Sequence, residues 1–305
     1  MAEERIFREK WLEAVDKKSS VLCAGLDPAD YGMGRGEKGL PEESYKRDWT
    51  MSYIEAVAPH AAALKPNRKY WKMGRHEDIW GSLDQEILEA AVKRAKDLGM
   101  VVIEDDKYPD IGSTNDAGFY ASQQLGVDAV TIAPYAGNME EAVRQGHERG
   151  LGVITMCLMS NPEYAIEKNM LVPVDDTMPF ANRDLVNVDG RGPYVPRYVY
   201  LAQQAQEHGI DGIVIGAPSY KNHIKDEEIR RVGGYVDDNM LVLLPGVGAQ
   251  GGEAGMIWRH FGSRSVIVNV GRSLMFPNGN KSTPEEQAET ARKYQEMLNE
   301  LRTTA

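Results

Sequence analysis

The chain has 305 residues, 42% apolar and 27% charged, with a formal net charge of −11. That composition is ordinary for a globular protein, and the acidic balance argues against a general nucleic-acid surface, although a few local cations can still govern a pocket. The mean hydropathy is −0.46 and no apolar run approaches the roughly 20 residues of a membrane-spanning helix, so neither nucleic acid nor a membrane is an expected partner.

The first 20 residues mix Glu, Arg and Lys with Phe7, Trp11 and Val15 at helical spacing. They lack the apolar stretch of a signal peptide and predict an amphipathic helix over about 3–18, with the cytosol as the expected compartment. Eight β-rich runs then follow: Val21–Leu26, Ala61–Lys65, Met100–Asp105, Ala129–Ala133, Gly152–Cys157, Gly212–Gly216, Met240–Pro245 and Val266–Val270. Most are continuously apolar, as strands buried on both faces of a parallel sheet are. Helical stretches separate many of them, among them Ser82–Leu98, Met139–Arg149, Arg197–Glu207 and Glu227–Val236, with a terminal helix over 282–305. Strand–helix alternation on this scale predicts an α/β fold, a (β/α)₈ barrel of TIM type spanning the chain as one domain.

Two connections are long. One runs over about 28–51, the other over about 161–196 with five prolines, and both follow strand C-termini, where barrels of this type carry their active sites. Cys23 and Cys157 lie within strand-like runs and read as buried free thiols. The six histidines show no metal-ligand spacing.

Polar residues recur just at the strand ends. Asp27 follows the first strand and Lys65 ends the second. Asp105, Asp106, Lys107 and Asp110 cluster after the third, with Thr114 beyond them. Ser160 and Asn161 follow the fifth, Gln250 and Gly251 the seventh, Gly271 and Arg272 the eighth. In a barrel these ends converge on one mouth. A dense charge run after the third strand could be a solvated loop with surface ion pairs. Lys65 favours an alternating lysine–aspartate network instead, because neighbouring carboxylates hold a lysine protonated and ready to act as a general acid. The glycine-rich run from Pro245 to Gly252 reads as a turn opening a helix and presenting N–H groups to an anion. Arg272 beside Gly271 occupies the other customary phosphate position of such barrels, and no Gly-Lys-[Ser/Thr] of a triphosphate loop is present.

These motifs are specific in combination. Asp-x-Lys-x-x-Asp-Ile-Gly-Ser-Thr over 105–114, Lys65-Pro66, Ser160-Asn161-Pro162, the Pro-Gly-Val-Gly-Ala-Gln-Gly-Gly run over 245–252, Gly25-Leu26-Asp27-Pro28 and the stretch Asp128 to Gly137 together resemble the longer branch of the orotidine 5′-monophosphate decarboxylases, from Leu22 to Arg272 in family order. The resemblance implies cofactor-free, metal-free loss of CO₂ from orotidine 5′-monophosphate in pyrimidine biosynthesis. It implies a tetrad of Lys65, Asp105, Lys107 and Asp110, with Lys107 as proton donor. Asp27 and Lys65 would hold ribose hydroxyls, Ser160 the pyrimidine, and Gln250, Gly251, Gly271 and Arg272 the phosphate. The active unit would be a homodimer, with Asp110 and Thr114 crossing the interface. The chain departs from the family pattern at Asp106, at Tyr108-Pro109 (usually Arg-Gly), at Met159 (usually Thr) and at Ala133 (usually Asn). Two other readings are a Mg²⁺-dependent sugar-phosphate decarboxylase or hexulose-phosphate synthase of the same suprafamily, in which an acidic residue would replace Lys65, and a barrel that binds nucleotide without turnover.

Overall fold

The structure, a computed structural model, describes residues 6–42, 45–71, 80–175, 178–188, 190–248 and 253–304. The expected eight strands are all present. They are β1 (Leu22–Leu26), β2 (Ala63–Pro66), β3 (Val101–Tyr108), β4 (Ala129–Ile132), β5 (Gly152–Leu158), β9 (Gly212–Ile215), β10 (Leu241–Pro245) and β11 (Val266–Val270). Every neighbouring pair is parallel, and β1 closes the barrel by pairing with both β2 and β11. The strands are buried almost throughout, which is why they read as unbroken apolar runs rather than as alternating ones.

Closure is tight where β1 meets β11. A Cβ on Gly25 would lie 2.8 Å from the Gly271 Cα, so the first strand can approach the last only without a side chain at that position. At the opposite, N-terminal end, two carboxylates pin strand starts. Asp128 accepts from the Val102 N–H at 2.9 Å, and Asp211 accepts from the Val153 N–H at 2.8 Å. Helix α1 (Ile6–Lys18) covers this end. Phe7, Trp11 and Val15 are buried as their spacing predicts, the Trp11 indole donates to the Arg264 carbonyl at 2.7 Å, and Phe7 packs on Gly152. The contacts at this end hold the barrel together, as is usual for the N-terminal face of such barrels.

Outer helices α2 (Lys46–Val57), α3 (Trp80–Asp97), α4 (Gly112–Leu125), α5 (Met139–Glu148), α7 (Arg197–Glu207), α8 (Asp226–Gly233) and α10 (Pro284–Thr304) complete the ring, with single turns α6 (Tyr164–Glu167) and α9 (Arg272–Met275). Three features depart from the sequence reading. The first long connection ends sooner, because α2 begins at Lys46. The second is not irregular: it folds into an antiparallel sheet of β6 (Leu171–Pro173), β7 (Val186–Val188) and β8 (Arg191–Pro196), in the order β6-β8-β7. Its prolines masked it, since Pro disfavours central strands, yet Pro193 stands beside the register shift between Asn187 and Val188, where a missing N–H costs least. A short strand, β12 (Pro277–Asn280), follows α9. Third, no α-helix follows the glycine-rich run directly among the described residues. Among the described residues, the first helical element after it is a 3₁₀ turn, Gly255–Arg259.

Candidate active site

Six consecutive barrel strands each send one inward side chain to the floor of a cavity of 530 Å³. These are Lys65 from β2, Asp105 from β3, Thr131 from β4, Met156 from β5, Val214 from β9 and Leu243 from β10. Period-two alternation puts all six on the interior face. Above them lie Lys107, the Met159–Pro162 turn, Gly216, Pro245 and Arg272. The charges are gathered on one wall and the apolar side chains on the other, a division suited to a ligand with a flat ring and an ionised edge.

Asp105 is the centre of the polar wall. Its Oδ2 accepts from the Lys65 ammonium at 2.5 Å, its Oδ1 accepts from the Lys107 ammonium, and the Thr131 hydroxyl donates to the same Oδ1 at 3.2 Å. Burial would push the Asp105 carboxyl up, but the two ammonium groups and their hydrogen bonds outweigh it and hold it well below the usual carboxylate range. Lys65 shows the mirror effect. Burial would push its ammonium down, but Asp105 and Asp27 hold it above the ordinary lysine range. Cys23, beneath Lys65, is pushed up to about 12 by burial and is a neutral thiol.

Asp106, next in the chain, is drawn away by an ion pair with the exposed Lys69. Of the two adjacent aspartates, only Asp105 therefore belongs to the cavity. Lys107 owes its direction to a break in the β3–β4 register between Glu104 and Tyr108, and it sits at φ 56°, left-handed. Such a conformation costs roughly 1–2 kcal/mol in a non-glycine residue. It is held by the Lys107 N–H donating to the Thr131 hydroxyl at 3.0 Å and by the ammonium–Asp105 pair. Thr131 thus orients both members of the pair. Sequence reading missed it, although a lone polar residue at an inward position of Ala129–Ile132 was a usable signal.

Tyr108 points out of the barrel. Its ring meets Phe119 edge-on at 5.1 Å between centroids and lies on Gly118, and its hydroxyl shares a 2.9 Å hydrogen bond with Ser122. The Glu104 carboxylate beneath it is paired with Arg68 at 3.0 Å. The departure from the family pattern at this position therefore lies outside the cavity. Met159, in contrast, lines it.

Asp27 is close enough to raise the Lys65 ammonium, and its Oδ1 is buried without a hydrogen-bond partner among the described residues. Burial pushes its carboxyl up, with the Lys65 attraction too weak to offset it. The folded protein therefore disfavours the ionised form. We expect Asp27→Asn to stabilise the fold by about 1 kcal/mol in urea unfolding at pH 7, while affinity falls for a ligand that needs the carboxylate, because one of its oxygens becomes an amide donor and the charge is removed. A loss of stability would mean that the Lys65–Asp27 attraction dominates.

Ser160 is set by a close approach. A Cβ on Gly216 would come within 2.6 Å of the Ser160 Cβ and 2.8 Å of its backbone N. Gly216→Ala must therefore displace Ser160. The expected result is a rise in KM of roughly tenfold, the worth of one lost hydrogen bond of about 1.4 kcal/mol, with little change in thermal midpoint. An unchanged KM would show that Ser160 does not bear on the ligand.

Lys65, Asp105, Lys107, Ser160 and Arg272 meet at one cavity, and Asp27 and Arg272 share a second one beside it. Gly271 stands at the β11 end against Gly25. Asp110 and Thr114 are not in the cavity and are exposed. Gln250 and Gly251 lie outside the described residues.

The model of the orotidine 5′-phosphate decarboxylase / HUMPS family matches residues 20–290. The chain is 28% identical to the orotidine 5′-phosphate decarboxylase of Bordetella avium, across 97% of this chain and 99% of that protein. It is 30% identical to that of Natronomonas pharaonis, again across 97% and 99%. The structure of Leishmania donovani OMP decarboxylase has the same fold, with a TM-score of 0.68 over 97% of this chain and 99% of that one at 19% identity. On the combined extent of these matches, the chain belongs to the orotidine 5′-phosphate decarboxylase / HUMPS family.

Proposed function

We propose that the protein decarboxylates orotidine 5′-monophosphate to UMP and CO₂ in pyrimidine biosynthesis. The observation that carries this reading is the Lys65–Asp105–Lys107 array on one wall of the cavity. Both oxygens of Asp105 are engaged by ammonium groups, so a divalent cation would have to displace one of them, which speaks against the Mg²⁺-dependent alternative.

The pyrimidine lies against Met156, Val214 and Leu243 with its C6 carboxylate toward Asp105. The C6–CO₂ bond breaks and its electron pair stays on C6. The Lys107 ammonium stabilises that charge as it develops and then delivers a proton to C6, leaving a neutral amine that solvent reprotonates. Asp105 holds the Lys107 side chain in place and repels the departing carboxylate. Lys65 and Asp27 hold the ribose, Ser160 the ring, and Arg272 with Gln250, Gly251 and Gly271 the phosphate, whose binding energy positions the reacting end.

The active unit is a homodimer in which Asp110 and Thr114 reach the partner's cavity. Support comes from the loop around Asp110. The side chains of Asn115 and Asn138 both donate to its carbonyl, which fixes the loop while the carboxylate stays exposed. Ile111, Tyr120 and Tyr135, in the segments that follow it, are 55%, 53% and 83% exposed, and exposed apolar side chains are a mark of interaction surfaces where they gather. A cytosolic location agrees with Cys23 and Cys157 being free and buried, and no helix among the described residues is long and apolar enough to cross a membrane.

The test is the ultraviolet absorbance change of orotidine 5′-monophosphate mixed with the protein in excess EDTA. Rapid conversion to UMP is expected. Binding without conversion would favour a non-catalytic barrel, and activity on a sugar phosphate restored by Mg²⁺ would favour the metal-dependent alternative.

A further inference from the structure

Arg272 lines three cavities. One is the 530 Å³ cavity already described, which lies within the roughly 300–1,000 Å³ of a small-molecule site. The other two, of 340 and 450 Å³, lie on its outer side and share Lys38 as well as Arg272. The smaller one is also lined by Arg35. Arg35 precedes the 3₁₀ turn Gly36–Lys38 in the connection after β1, Lys38 ends it, and both are exposed. Glu37, between them, does not line either cavity and packs on Gly279 of β12. Among the described residues neither Arg35, Lys38 nor Arg272 has a salt bridge. Among the described lining residues of these adjoining cavities, three cations outnumber one carboxylate, Asp27, in a chain of net charge −11, and a cleft with an excess of one sign of charge concentrates ligands of the other.

Resting on the proposed function, we infer that this outer space is a binding site for the distal phosphates of pyrimidine nucleoside di- and triphosphates. The base and ribose would occupy the inner cavity, the α-phosphate would meet Arg272, and the further phosphates would meet Arg35 and Lys38. A monophosphate, held at Arg272, leaves the outer cations free. Such nucleotides would therefore compete with the substrate and lower turnover as they accumulate. Guanidinium and ammonium groups bind phosphate oxygens by charge-assisted hydrogen bonds, the stronger class.

The experiment is calorimetric titration with UMP, UDP and UTP in EDTA, alongside turnover of orotidine 5′-monophosphate by the same preparation. UDP and UTP should bind at least as tightly as UMP. Arg35→Ala combined with Lys38→Ala should weaken UDP relative to UMP by about tenfold, the loss of one good charge-assisted contact, and Arg35→Lys with Lys38→Arg should restore the preference. UDP binding tenfold weaker than UMP to the unaltered protein would overturn the inference, as would a double alanine variant that weakens both nucleotides alike. If turnover and UMP binding are present while the preference is absent, only this inference fails. If turnover and UMP binding are both absent, the proposed function fails with it.

Discussion

Lys107→Ala is expected to lower kcat by about 10⁴-fold or more while changing UMP affinity by less than about threefold, because in the proposed mechanism general acid catalysis and charge stabilisation at C6 are both lost and neither acts on a bound product. The left-handed backbone at Lys107 and its two anchors serve only to bring one ammonium to one point. Stopped-flow decarboxylation and calorimetry of the purified variant read the two quantities separately. A variant that keeps a near-normal rate would remove Lys107 from the proton-donor role. Thr131→Val, which deletes the hydroxyl holding both Asp105 and the Lys107 N–H, tests the same geometry from behind.

Asp105→Asn should abolish turnover and also cost the fold about 3 kcal/mol, since it leaves two ammonium groups facing a neutral amide and breaks a buried pair. Lys65 and Asp105 side chains are only 6% and 12% exposed, so solvent screens this pair weakly. The pH dependence has a definite sign. The folded carboxyl is depressed below its unfolded value, so the native state binds fewer protons than the unfolded one as that value is approached from above. The contribution of Asp105 is therefore complete above the ordinary carboxylate range near about 4 and is lost as pH falls through the folded value beneath it. Asp27 works oppositely, because its folded carboxyl is raised and protonation relieves a cost. Urea unfolding of wild type, Asp105→Asn and Asp27→Asn between pH 7 and 3 separates them. Wild type should lose more stability on acidification than Asp105→Asn, and Asp27→Asn should lose more than wild type. Parallel curves for wild type and Asp105→Asn would show that the ion pairs at Asp105 contribute no net stability.

Much of this molecule was legible in its sequence, and the reason is local. Eight strands announced themselves because a parallel strand buried on both faces must be apolar along its length, and a residue such as Lys65 or Asp27 at its end is then conspicuous. The spacing of Phe7, Trp11 and Val15 fixed the buried stripe of α1 by helical geometry alone. What the tertiary structure decided was every relation between segments distant in the chain. Nothing in Asp105-Asp106 says which carboxylate enters the cavity. Lys69 and Lys65, each contributed by the neighbouring β2 region, decide it by pairing with one apiece. The left-handed turn of Lys107 depends on Thr131 of another strand. The sheet of β6, β7 and β8 is hidden by prolines until Pro193 is seen beside a register shift. Patterning dictates which residues are buried, because burial follows periodicity within one element. Charge pairing and strained backbone are decided only when the barrel closes, because the energy that sustains them comes from groups that meet there for the first time.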